Sequence, residues 1–166
     1  MEIQEKDGIE VVRFPKACVA VIVYTLDANG VIKEIGVVKE KNPHFQEGFT
    51  ENVIMGTVEA EDTSLLERAM IELKEEAGVE ILDSLKWSFL GEIYTSKISP
   101  DPIYMFSVNA TGASISSPTG DGTGTEKILS FELLPASEAL KKGDSVMLSA
   151  FFKLFMQIYQ KEIKTN

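Results

Sequence analysis

The longest apolar run of the chain lies between Ala17 and Leu26, with VAVIVYTL at its heart. A β-branched stretch with so few polar positions predicts a strand buried on both faces. Asp27-Ala28-Asn29-Gly30 follows, and Asn-Gly is the strongest short signal for a hairpin. Val31 to Lys39 then returns as the partner strand. Ile9 to Phe14 predicts a shorter strand ended by Pro15, and Thr50 to Val58 another. The period then changes. Leu66, Met70, Leu73 and Ala77 stand at i, i+4, i+7 and i+11, one apolar stripe of a helix. Ser64 and Glu67 have capping-box spacing, Asp62 adds acid near the helix start, and Gly78 stands where a helix C-terminus is expected. Trp87 to Tyr94, Ile103 to Val108 and Lys127 to Leu133 predict three more strands, with Pro135 closing the last. Ala136 to Lys141 predicts a short helix. Ser145 to Glu162 predicts a final one, with Met147, Phe151, Leu154, Phe155 and Tyr159 facing the core. Strands, a helix, more strands and then helices predict an α/β fold: a mixed sheet with helices on both faces.

Two polar stretches interrupt this pattern. Asn42 to Gly48 is a loop holding His44, the sole histidine, which is given no role. Thr111 to Thr125 is rich in Gly, Ser and Thr, which predicts a mobile lid or a disordered segment. There is no internal repeat and no composition break, so residues 1–166 are expected to form a single domain.

Composition narrows the partners. The 166 residues are 44% apolar, ordinary for a globular domain, and carry a formal charge of −10. That charge argues against nucleic acid or an anionic membrane surface as the main partner. It leaves room for a phosphate substrate, because a bound metal supplies positive charge locally. Cys18 is the only cysteine, so no internal disulfide can form; it is expected to be an inert residue of the core. The first residues lack the order of a signal peptide and no stretch reads as a membrane span, so a cytoplasmic location is expected.

The helix from Ser64 to Gly78 also carries the chemistry. Glu72, Glu75 and Glu76 stand at i, i+3 and i+4, so three carboxylates share one face. Two readings fit that spacing: a solvated acidic face, or oxygen ligands gathered for a hard cation such as Mg²⁺. The stretch Gly56 to Val79 resembles the signature of the Nudix hydrolases. Gly56, Glu72, Leu73, Glu75, Glu76, Gly78 and Val79 match that pattern in type and order. Asp62 stands where the first glutamate of the pattern is expected, and Ile71 where the arginine is. The segment between Asp62 and Glu72 is one residue longer than usual.

The resemblance implies a Nudix-type α/β/α sandwich with a mixed sheet. It further implies a pyrophosphohydrolase that acts on a nucleoside diphosphate linked to another group, with Mg²⁺ or Mn²⁺ as cofactor. Glu72, Glu75, Glu76 and the carbonyl of Gly56 would be metal ligands, with Glu72 and Glu75 in the catalytic set. Glu126, just before the late strand, would be a further catalytic carboxylate; a solvated charge is the alternative. The segment Gly91 to Asp101 resembles the region after the motif in ADP-ribose pyrophosphatases, with Ser96 in place and Lys97 where a proline is usual. ADP-ribose or a related nucleotide sugar is therefore the leading substrate. Lys41 and Lys97 are candidate phosphate contacts, and solvated lysines are the alternative. Tyr94 is expected in the core rather than stacked on a base. Many members are dimers, so the resemblance also allows a homodimer.

Ile71 has no donor with which to hold the acids. Arg68, four residues before Glu72, is the candidate replacement, and a solvated arginine is the alternative. An exposed pair of this kind is worth well under about 1 kcal/mol. A second function stays open beside the enzyme: a Nudix-fold nucleotide sensor or regulatory module with little or no turnover.

Overall fold

Alternation along the central strand decides how the layers stack. The computed structural model describes residues 2–6, 9–13, 17–42, 46–95, 101–120 and 128–163. In chain order the elements are β1 (Glu2–Lys6), β2 (Ile9–Arg13), β3 (Cys18–Leu26), β4 (Ile32–Lys41), β5 (Phe49–Asn52), β6 (Ile54–Thr57), α1 (Leu65–Ala77), β7 (Trp87–Ile93), β8 (Ile103–Asn109), β9 (Ile128–Pro135), α2 (Ala136–Lys142) and α3 (Ser145–Ile163). Val19, Val21 and Val23 of β3 point to one face, where they pack with Ala69, Leu73 and Ala77 of α1. Ala20 and Ile22 point to the other, beside Ala139 of α2 and Met147, Ala150 and Leu154 of α3. Both faces of β3 are thus covered, which is why its sequence is apolar at almost every position.

Among the described residues the sheet has seven strands and is mixed. β3 pairs in parallel with β8 along one edge, from Cys18↔Ile103 to Tyr24↔Asn109. Its other edge is shared: β6 pairs over Cys18–Val21, and β4 over Tyr24–Leu26. β4 in turn pairs with β5 and, on its far side, with β9. The expected single strand from Thr50 to Val58 is therefore two. The chain is bonded to β4 through Asn52, turns at the buried Val53, and is bonded to β3 from Ile54. β1 and β2 form a separate antiparallel pair, and β1 is an element the sequence pattern left unread.

Three other expectations change. Tyr94 is exposed rather than in the core, and its hydroxyl donates to Glu92 at 3.0 Å. Phe155 is exposed too, stacked on Tyr159 with ring centroids 4.4 Å apart, so the core stripe of α3 is narrower than predicted. Residues 111–120 are pinned rather than loose. Ser116 donates its N–H and its hydroxyl to the Gly78 carbonyl, and the N–H groups of Thr119 and Gly120 both reach the Glu75 carbonyl at 2.9 Å. Residues 121–125 lie outside the described residues. Cys18 is partly buried; burial foremost raises its thiol pKa, which fits an unreactive residue. Among the described residues no helix is long and apolar enough to cross a membrane.

Candidate functional site

The acidic helix is held firmly at both ends. At its start the Ser64 hydroxyl accepts the Glu67 N–H at 3.1 Å, and the Glu67 carboxylate accepts the Thr63 N–H at 2.6 Å. At its end Gly78 is left-handed, with φ of 63°. Its N–H bonds to the Lys74 carbonyl, and that of Val79 to the Leu73 carbonyl, the pair that satisfies the last turn. A side chain on Gly78 would run into the backbone of Ser116, so the same residue closes the helix and seats the 111–120 segment.

Between these ends the three glutamates do share a face, but it is not a solvated one. Glu72 is 3% exposed and Glu76 5%, and Glu75 is partly buried. The face looks onto β6. A Cβ built on Gly56 would collide with the Glu72 carboxylate, so only glycine lets the strand and the acid approach this closely. The Met55 N–H, one residue earlier, donates to Glu76 Oε2 at 3.3 Å. Glu76 also lines a small cavity of about 60 Å³ with Glu40, Thr50, Asn52 and Met55, beside the turn from β5 to β6.

Burying carboxylates is costly unless a counter-charge comes with them. Arg68 supplies it. Its Nε donates to Glu72 Oε1 at 2.8 Å, its Nη2 meets the same oxygen, and Nη2 stands 3.7 Å from Glu75 Oε2. Burial works to lower the guanidinium pKa, but the hydrogen bonds and charge of Glu72, with the charges of Glu75 and Asp62, raise it above the ordinary value. Arg68 is thus neither a solvated arginine nor half of an exposed pair: its side chain is only 15% exposed. Asp62 does not cap α1; its carboxylate accepts the Glu59 N–H at 2.6 Å in the preceding turn.

The donors suit a divalent cation in kind: hard carboxylate oxygens, and a strand glycine whose missing side chain leaves the approach open. In the arrangement present, no three ligating side chains among the described residues lie close enough together to hold an ion. Lys41 is exposed at the end of β4, one residue past Glu40. Glu126 and Lys97 lie outside the described residues. The place of Glu40 in the cavity wall and the Met55 amide on Glu76 were missed by the sequence reasoning. The second had no signal to find, since a backbone N–H has no letter of its own.

No family model and no curated protein matches the sequence. Solved structures do match in shape. A NUDIX domain of NrtR from Shewanella oneidensis, complexed with ADP ribose, superposes with a TM-score of 0.66 at 12% identity, over 86% of this chain and 88% of that one. An ADP compounds hydrolase gives 0.63 at 16%, over 93% and 82%. A NUDIX hydrolase from Listeria monocytogenes gives 0.57 at 16%, over 87% and 95%. The mixed sheet, the helices on its two faces and these superpositions give the chain the fold of the Nudix hydrolases.

Proposed function

We propose that this protein hydrolyses the phosphoric anhydride bond of a nucleoside diphosphate joined to another group, with ADP-ribose or a related nucleotide sugar as the leading substrate. The observation that carries the reading is the close approach of Gly56 to Glu72 on a helix face that also bears Glu75 and Glu76. Glu72, Glu75, Glu76 and the Gly56 carbonyl would hold Mg²⁺ or Mn²⁺. When bound, such an ion neutralises charge on the phosphate oxygens and makes a water more acidic. The chain's own contribution is to fix its carboxylates in position. α1 is capped at both ends, and Met55 orients Glu76 through its amide. Glu126 is the proposed further carboxylate, and Lys41 and Lys97 the proposed phosphate contacts. The charge of −10 supports a small-molecule substrate over nucleic acid. We read the chain as a single domain of the cytoplasm, with a homodimer as the proposed assembly.

A panel of nucleotides with Mg²⁺ or Mn²⁺ tests this. ADP-ribose should yield AMP and ribose 5-phosphate by addition of water across the P–O–P bridge. A second reading has its own support: Arg68 is engaged with Glu72, and Ile71 offers no donor in its stead. On that reading the fold binds a nucleotide without turning it over. Measurable ADP-ribose binding with no product on any substrate decides for the binding module; product formation decides for the hydrolase.

A further inference from the structure

We propose that Arg68 is a built-in counter-ion standing in the metal's place, so that a divalent cation is held on this helix face only after the guanidinium leaves Glu72. This rests on the metal-site reading above. Nε and Nη2 of Arg68 converge on one oxygen, Glu72 Oε1, the atom that also stands nearest the missing side chain of Gly56. Nη2 reaches on toward Glu75, so one guanidinium spans two of the three carboxylates. With Glu72 3% and Arg68 15% exposed, water screens this attraction little. A guanidinium does not lose its charge at ordinary pH, so it yields the carboxylates only by moving.

The competition is tested by titrating Mn²⁺ alone into the wild type, Arg68→Gln and Arg68→Lys, followed by calorimetry and by melting temperature. Removing a charge-assisted contact that the metal must displace should tighten Mn²⁺ binding in Arg68→Gln by about tenfold or more. Mn²⁺ should also raise the melting temperature of that variant more than that of the wild type, because the ion replaces the lost counter-charge. Arg68→Lys keeps the charge and loses the fork, so its affinity should fall between the two. If Arg68→Gln is too unstable to titrate, Arg68→Lys decides by the same direction of change. Equal or weaker Mn²⁺ binding in the variants overturns the competition and leaves the metal site standing. No binding to any of the three proteins overturns both.

Discussion

Gly56 and Glu75 test the site at the scale of single residues. Gly56→Ala puts a methyl group into the Glu72 carboxylate, so strand and helix must part. The expected cost is about 1–3 kcal/mol by urea unfolding, as for other overpacked interiors. A loss below the error of that measurement would mean that the helix face yields freely. Glu75→Gln and Glu76→Gln keep shape and an acceptor oxygen, and should leave the melting temperature nearly unchanged. On the hydrolase reading each lowers turnover by about a hundredfold or more, since even groups behind the ligands matter at nearly that level. Turnover retained in either variant removes that residue from the metal site. The spacing of these acids was plain in the sequence, whereas Arg68 was a candidate partner with a solvated arginine as the alternative, and its burial against Glu72 decides between the two. The burial of the acids was not plain. It depends on Gly56 and Met55, which arrive from strand β6, and a helical pattern says which residues share a face but not what that face meets.

At the scale of elements, the caps of α1 were legible because capping is local: Ser64, Glu67 and Gly78 act on backbone groups a few residues away. Ser64→Ala should therefore cost about 1 kcal/mol of stability, read from the shift in the urea midpoint. The pinned 111–120 segment was not legible. Its Gly, Ser and Thr content suggested looseness, yet its partners are carbonyls of Glu75 and Gly78, far away in sequence. Hydrogen exchange should find the amides of Ser116, Thr119 and Gly120 protected in the free protein. Exchange as fast as in an unstructured peptide would contradict those bonds. The split of one predicted strand into β5 and β6 was hidden for a related reason. A change of partner at Val53 leaves the strand-like character of the sequence intact.

For the whole molecule the dominant quantity is the charge of −10, from 26 acidic against 16 basic residues. Repulsion on this scale opposes compactness. The melting temperature should rise as salt increases from about 0.01 M to about 0.15 M, where the screening length shortens from about 30 Å to about 8 Å. A fall would mean that surface pairs such as Lys74–Glu80 outweigh the general repulsion. The parallel pairing of β3 with β8 has a different consequence, one of timing. β8 follows β3 by about 85 residues, with α1 and four other strands made in between. At a ribosome's pace of about 5–20 residues per second, the interval is on the order of ten seconds. Through that interval VAVIV presents an open edge of unpaired backbone flanked by apolar side chains, the kind of edge that recruits other chains. Slower translation lengthens the exposure. The aggregated share of newly made protein should therefore grow as the elongation rate in a cell-free system is lowered, even though the finished sheet keeps β3 at its centre.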